Sequence, residues 1–239
     1  MNCEKIAAVI PAAGSSSRMN GIKKEYQKLP AGATVLETAV RAFVPYAKII
    51  CIAVSDNNEA RNALPCELTC KPQIIFSDGG AARSGSVLNS LRALSPFNPR
   101  YVLIHDGARP FVSVSLIENI IAAVKKYGAV IPALPITDTP KEIEIINKEP
   151  AAGNLKRSAE SPEQVRYIKK HLKRANIGIA QTPQAFLYPE ILHAHEKAAS
   201  ADDEEFTDDA EVWSRFCGKV AVIPGDPANR KITFIEDLD

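Results

Sequence analysis

The chain carries almost no net charge: 29 lysines and arginines stand against 28 aspartates and glutamates, a formal excess of +1 over 239 residues. That balance excludes a polyelectrolyte tail and argues against non-specific binding to nucleic acid or a membrane surface, while leaving room for a local basic pocket. The sequence also lacks any run near the roughly 18 apolar residues of a membrane span. Its longest apolar runs, Ile6–Ala13 and Lys219–Pro224, are strand-sized. No basic segment precedes the first of them, which argues against a signal peptide. The five cysteines (Cys3, Cys51, Cys66, Cys70, Cys217) are odd in number and scattered, and are expected mostly within apolar, strand-like segments. No second Cys or His pair completes a zinc site with Cys66 and Cys70. Ordinary thiols, a reducing compartment and hence a cytoplasmic protein are the expectation. His193 and His195 are two apart on a helix, face different directions and make no metal pair. What remains is 46% apolar and 24% charged, the composition of a soluble globular domain. A chain of this length buries roughly 70% of its unfolded surface without a disulfide or metal.

Short apolar runs alternate with amphipathic segments. Strands are expected at Ile6–Pro11, Lys48–Ser55, Gln73–Ser77, Tyr101–His105, Ala129–Leu134 and Lys219–Pro224, with a further β-like run at Ile232–Ile235. Helices are expected at Thr34–Tyr46, Asn58–Leu64, Arg83–Leu94, from a Ser113 cap to Tyr127, at Tyr188–Ala199 and at Asp208–Phe216. Strands apolar on both faces and separated by helices predict an α/β fold, a mostly parallel sheet covered by helices. The rhythm breaks at about 137–180, which reads as a protruding arm or small excursion from a single domain.

Ligands of open α/β sheets bind at the carboxyl ends of strands, and three polar loops fall there. The first, Pro11-Ala12-Ala13-Gly14-Ser15-Ser16-Ser17-Arg18, has neither the dinucleotide fingerprint G-x-G-x-x-G nor the P-loop G-x-x-x-x-G-K-[ST]. It offers a tight glycine, three hydroxyls and Arg18, followed by Lys23 and Lys24, which suits a nucleoside triphosphate; an ordinary polar loop is the plainer alternative. The second is His105-Asp106-Gly107-Ala108-Arg109-Pro110. Asp106 there is placed to orient a hydroxyl or hold Mg²⁺ and Arg109 to take a phosphate, unless the two simply pair and cap a turn. The third, Asp78-Gly79-Gly80-Ala81-Ala82-Arg83-Ser84-Gly85-Ser86, opens a helix, and its backbone is suited to a base edge or ribose; simple turn chemistry with Ser84 as cap is the alternative. Thr137-Asp138-Thr139, Gln181-Thr182-Pro183-Gln184 and Phe206-Thr207-Asp208-Asp209 supply further hydroxyls for phosphate or polyol contacts, although each alone is more often a cap or turn. Lys231, after Asn229-Arg230, is a candidate to reach a phosphate from the opposite side.

In order and together, PAAGSSSRM, the KEY of Lys24–Tyr26, DGGAARSGSV, YVLIHDGARPFV, PITDT, QTPQAF, FTDDA and NRKIT span nearly the whole chain. In this combination the sequence resembles the 2-C-methyl-D-erythritol 4-phosphate cytidylyltransferases of non-mevalonate isoprenoid biosynthesis. The resemblance implies a Rossmann-like nucleotidyltransferase with a β-arm exchanged across a homodimer. It implies CTP and a polyol phosphate as substrates, with Mg²⁺ held mainly by the CTP phosphates, in the neighbourhood of Asp106. By the same resemblance Arg18, Lys24 and Lys231 surround the triphosphate and stabilise charge. Ala12, Ala13, Gly14, Gly80 and Ser86 contact the nucleotide. Asp106, Arg109, Thr139, Arg174, Thr182 and Thr207 bind methylerythritol phosphate, some of them from the partner subunit. The chain departs from the family pattern at Ala81, where an Asp is usual, at Gly107, at Lys173-Arg174, and in the longer segment between Lys141 and Arg174.

Three other readings compete. A ribitol 5-phosphate cytidylyltransferase shares the fold but usually carries L-A-G-G-K-G-T-R-M in the first loop. A non-catalytic nucleotide-binding relative fits Ala81 but not the joint retention of Arg18, Lys24, Asp106 and Lys231. An NAD-dependent oxidoreductase needs the missing glycine fingerprint.

Overall fold

In a computed structural model the described residues are 5–14, 21–70, 73–148, 163–200 and 206–238. In chain order they form β1 (Ile6–Pro11), α1 (Val35–Phe43), β2 (Ile49–Val54), α2 (Asn57–Ala63), α3 (Cys66–Thr69), β3 (Ile74–Asp78), α4 (Arg83–Ala93), β4 (Tyr101–Ile104), α5 (Val114–Tyr127) and β5 (Ala129–Pro135). There follow β6 (Lys141–Lys148), β7 (Glu163–His171), β8 (Gly178–Ala180), β9 (Gln184–Leu187), α6 (Tyr188–Ser200), α7 (Asp209–Phe216) and β10 (Ala221–Pro224). The chain divides into two compact units. One comprises residues 1–133 and 180–239, the other 134–179.

The main sheet runs β10-β5-β9-β4-β1-β2-β3, with β8 beside β5. β1 lies parallel to β2 and β4, β2 to β3, and β5 to β10, whereas β9 is antiparallel to both β4 and β5. The fold is therefore α/β with a mixed, mostly parallel sheet. The connections run outward from β1 to β2 and β3, then return to place β4 on β1's other side. β1 and β4 thus bracket the point where strand order reverses, the crevice that α/β sheets use for ligands.

The period of two along the strands explains the two-sided core. Ala8 and Ile10 of β1 and Ile50 and Ile52 of β2 pack with Leu36, Val40 and Phe43 of α1 and with Ile117 and Ile120 of α5. Ala7, Val9, Ile49 and Cys51 point the other way, onto Val87 and Leu91 of α4, Ile191 of α6 and Trp213 of α7. Side-chain caps start the helices where the sequence supplies them. Thr34 Oγ1 accepts from Glu37 N at 3.0 Å, Ser113 Oγ from Leu116 N at 3.3 Å, and Asp208 Oδ1 from Glu211 N at 2.9 Å.

Several expectations are corrected. Ile232–Ile235 forms no strand, because Ile232 gives its N–H to Ala108 O at 2.8 Å and buries its side chain with Leu29 and Val35. β10 begins at Ala221, later than expected. β9, α3 and β8 were not anticipated. The cysteines are mostly not in strands: Cys51 is buried in β2, but Cys66, Cys70 and Cys217 are exposed. Cys3 lies outside the described residues.

In the second unit β6 and β7 form a two-stranded antiparallel sheet with a register irregularity at Glu142/Ile143. Ile143, Ile145, Tyr167 and Ile168 are exposed on it. The stretch 149–162 lies outside the described residues.

Phe186 is fully buried and stacks on Trp213 with ring centroids 5.5 Å apart, joining the antiparallel β9 to α7. Phe186→Ala is expected to cost about 3–5 kcal/mol of unfolding free energy, measured by denaturant titration. Trp213, the chain's single tryptophan, reports the same cavity through its fluorescence.

Candidate active site

A cavity of about 400 Å³ opens at the carboxyl ends of β1 and β4. Its walls are the start of the first loop (Pro11, Ala13, Gly14), the loop Gly80–Arg83 with Ser86, the Asp106–Ala108 turn, Lys24 with Glu25, and Lys231 with Thr233. All belong to the larger unit.

The loop after β3 is shaped by what its glycines lack. A Cβ on Gly80 would stand 2.6 Å from the Gly85 carbonyl carbon and 2.8 Å from Ser86 N, so only glycine lets the two loop arms meet. Ser86 Oγ closes the loop, accepting from Gly80 N at 2.9 Å and donating to Ala82 O at 3.2 Å.

Asp106 is the centre of charge. Its Oδ1 lies 3.1 Å from Arg83 Nε. Its Oδ2 lies 2.8 Å from Lys231 Nζ and 3.7 Å from Arg109 Nε. Burial alone would raise the Asp106 pKa, but Arg83, Lys231 and Arg109 together hold it far below the usual carboxylate range. Burial works against the charge on Arg83, yet Asp209 and Asp106 hold its pKa above the ordinary value. For Arg109 burial prevails and lowers it.

Threonine and glutamine side chains hold this centre from behind. Asp106 N donates to Thr182 Oγ1 at 3.1 Å, and Thr182 Oγ1 is 3.1 Å from His105 Nδ1. His105 Nε2 is 2.9 Å from Arg109 O. A carbonyl only accepts, so Nε2 carries the proton and the Thr182 hydroxyl donates to Nδ1. Burial pushes His105 down to about 4. Gln181 Nε2 donates to Asp226 O at 2.9 Å while its Oε1 accepts from Asp226 N at 3.0 Å. Asn229 Nδ2 donates to Thr182 O at 2.7 Å, and Arg109 Nη1 to Asn229 O at 2.7 Å. With Ile232 anchored beyond it, Lys231 is fixed on both sides.

Of the residues singled out from sequence, Ala13, Gly14, Lys24, Gly80, Ser86, Asp106 and Lys231 come together on the cavity wall. Ala12 lies beneath it, fully buried, with its N–H already given to Ala53 O at 2.8 Å. Arg109 and Thr182 stand behind Asp106 as braces. Thr207 spends both its N–H and its hydroxyl on Glu211 Oε2 at the start of α7. Thr139 and Arg174 belong to the second unit, where Arg174 Nη1 donates to Thr137 O at 2.7 Å. Arg18 and the serines before it lie outside the described residues. The sequence reading passed over Arg83, although it sits inside a loop already singled out. Gln181 and Asn229 fall in segments already singled out, but their bracing role needs the fold.

The donor set suits anions better than a divalent cation. Both Asp106 oxygens already face cationic side chains, and the described residues hold no cluster of three or more His, Cys, Asp or Glu fit for a metal. Mg²⁺ thus finds no ready seat among these side chains.

The chain matches the family model for 2-C-methyl-D-erythritol 4-phosphate cytidylyltransferase over residues 6–239. It is similar to the bifunctional enzyme IspD/IspF of Bradyrhizobium sp. (strain ORS 278), 37% identical over 236 residues that cover 98% of this chain and 55% of that protein. The bifunctional enzyme IspD/IspF of Bartonella henselae is 37% identical over 240 residues, covering 98% and 55%. The chain therefore spans about half the length of the curated relatives it matches. Among solved structures, 4-diphosphocytidyl-2C-methyl-D-erythritol synthase from Anaerococcus prevotii DSM 20548 aligns with a TM-score of 0.78 at 29% identity, covering 99% of this chain and 94% of that one. 2-C-methyl-D-erythritol 4-phosphate cytidylyltransferase from Francisella tularensis aligns with a TM-score of 0.75 at 27% identity, covering 98% and 97%.

Two outcomes are expected. Gly80→Ala drives the loop arms apart, destabilising the protein by about 1–3 kcal/mol, measured by denaturant titration. Between its ordinary value of 6.5 and about 4, His105 takes a proton only in the unfolded chain. Its contribution to stability is therefore complete above pH 6.5 and drains away as pH falls through that window. Denaturant midpoints measured at steps from pH 7.5 to 4.5 should fall accordingly, and less steeply in His105→Asn.

Proposed function

Because the chain belongs to the 2-C-methyl-D-erythritol 4-phosphate cytidylyltransferase family, we propose that it joins CTP to 2-C-methyl-D-erythritol 4-phosphate, releasing pyrophosphate, in isoprenoid biosynthesis. The observation that carries this reading is the cavity at the strand reversal, where Lys24, Arg83 and Lys231 line a glycine-walled site together with Asp106 and Glu25. An oxygen of the sugar phosphate attacks the α-phosphorus of CTP. A phosphorus–oxygen bond forms there, the bond from that phosphorus to the bridging oxygen breaks, and pyrophosphate leaves with its electron pair. The nucleophile is already an ionised phosphate oxygen, so no general base is required. Catalysis then rests on alignment and on cations placed where charge gathers.

Within this proposal Lys24 and Lys231 stabilise charge at the reacting phosphorus, together with Arg18 from the adjoining loop. Gly80 and Gly14 let the backbone approach the nucleotide, and Ser86 holds the loop that does so. Asp106 serves twice, as counter-charge for Lys231 and as an acceptor for a polyol hydroxyl. Thr182 and Arg109 set its position. Mg²⁺ enters as the salt of the triphosphate, a role consistent with Asp106 being surrounded by cations. Thr139 and Arg174 are assigned to methylerythritol phosphate through the arm of a homodimer, supported by the isoleucines exposed on that two-stranded unit. A cytoplasmic setting is supported by the free thiols.

The test is pyrophosphate release from CTP and Mg²⁺ with methylerythritol phosphate and, in parallel, ribitol 5-phosphate. Release with the first substrate alone is expected; release with ribitol phosphate alone moves the assignment to the other polyol. Lys24→Ala is expected to lower turnover roughly a hundredfold, about 3 kcal/mol in the chemical step, with a smaller effect on CTP binding. Near-parental turnover would remove Lys24 from its role.

A further inference from the structure

Arg83 faces in two directions. It lines the cavity, with Nε on Asp106 Oδ1 at 3.1 Å, while Nη2 reaches Asp209 Oδ2 at 2.8 Å. Asp209 is the first residue of α7 and has a side-chain exposure of 1%. Its other oxygen lies 3.2 Å from Nε2 of His195 on α6, itself buried. None of these three atoms of the Asp209–His195 pair has a hydrogen-bond partner of regular geometry among the described residues. Asp209 is thus a buried carboxylate whose nearest partners are a guanidinium and an imidazole. Burial raises its pKa, yet Arg83 and His195 hold it below the usual range.

Stability alone is a poor reason for such a group, since a buried ion pair seldom outperforms apolar residues of the same volume. The surroundings point instead to placement. Gln184 Nε2 donates to Asp208 Oδ2 at 2.8 Å, and its Oε1 accepts from Ala210 N at 3.0 Å. The residues on both sides of Asp209 are therefore tied to β9. Asp209 in turn holds one edge of Arg83, and Asp106 holds Nε. A planar guanidinium fixed at two of its nitrogens has its orientation determined.

We infer that Arg83 is a phosphate-binding residue of this cavity and that the buried Asp209–His195 pair positions it. The inference rests on the cavity being a triphosphate site, and it adds a third cation to the two lysines there. Asp209 and His195 touch no cavity surface and act through Arg83.

The sign of one substitution separates positioning from simple electrostatics. Removing a carboxylate near an anion site strengthens anion binding by Coulomb's law. If Asp209 acts by holding Arg83, Asp209→Asn weakens it. Calorimetric titration with pyrophosphate is the readout, since it needs no turnover. We expect Asp209→Asn to bind pyrophosphate about tenfold more weakly despite gaining a unit of net positive charge, and Arg83→Gln/Asp209→Asn to bind at least as weakly. His195→Gln keeps an N–H donor and should bind like the parent, whereas His195→Leu should follow Asp209→Asn. Unchanged or tighter binding in Asp209→Asn overturns the inference. Should Asp209→Asn fail to fold, equal affinities in His195→Gln and His195→Leu overturn it instead. A parent protein that binds no pyrophosphate overturns both this inference and the reading of the cavity. A parent that binds pyrophosphate but turns over neither polyol phosphate overturns the proposed reaction alone, and the comparison among variants still decides the role of Arg83.

Discussion

The carboxylate of Asp106 is the interaction on which the site depends. Lys24, Arg83, Arg109 and Lys231 come from four separate stretches of chain, and like charges gathered at one strand end repel one another. Buried Asp106, with Arg83 on one oxygen and Lys231 on the other, offsets much of that repulsion. The strength of the bond follows from its surroundings, because charges withdrawn from water interact far more strongly than exposed ones. Its location follows from topology. Asp106 lies just past the end of β4, beside β1, where the strand order reverses and the crossovers leave a crevice.

Much of the polar sequence around this centre works on the protein itself. Gln181, Thr182 and Gln184 look from composition like a strip of substrate-binding groups. In the folded chain Thr182 holds the Asp106 backbone and His105. Gln181 grips the turn at Asp226, and Gln184 grips the start of α7. Their placement on and just before β9 explains this division. β9 runs antiparallel between β4 and β5, so its leading residues arrive at the carboxyl end of β4, behind the site. Buried amides and hydroxyls there must find partners, and those partners are the loops that carry the charged residues.

The fold was legible where local pattern and tertiary outcome coincide. Strands apolar on both faces, helices with one apolar stripe and a cap at Ser113 locate most of the α/β framework. β9 was missed because four residues following a proline carry too little periodicity, and its antiparallel direction is a property of the sheet. Ile232–Ile235 misled because its apolar residues serve an anchor, with Ile232 plugged against Leu29 and Val35. For the site, glycine loops and strand-end charges were visible, since close backbone approach and phosphate chemistry demand those residue types. The bracing was not. Asp209 read as part of a helix cap and His195 as a lone helical histidine, and only the packing of α6 on α7 brings them to Arg83.

These differences also show where the site is mechanically weakest. Lys24 begins a turn of 3₁₀ helix, Arg83 begins an α-helix and Asp106 sits in the turn just past β4, its carbonyl accepting from Arg109 N. Lys231 lies in residues 225–233, which form neither helix nor strand and are held by isolated backbone bonds such as Ile232 N to Ala108 O. Side chains supply the rest. Gln181 and Arg109 hold the carbonyls of Asp226 and Asn229, Asn229 reaches back to Thr182, and Ile232 seats itself in the core. A loop held this way opens more readily than a strand end, because few bonds must break together. Its own lysine joins it to Asp106. The order of this loop and the charge balance of the cavity therefore meet in one ion pair, Lys231 with Asp106.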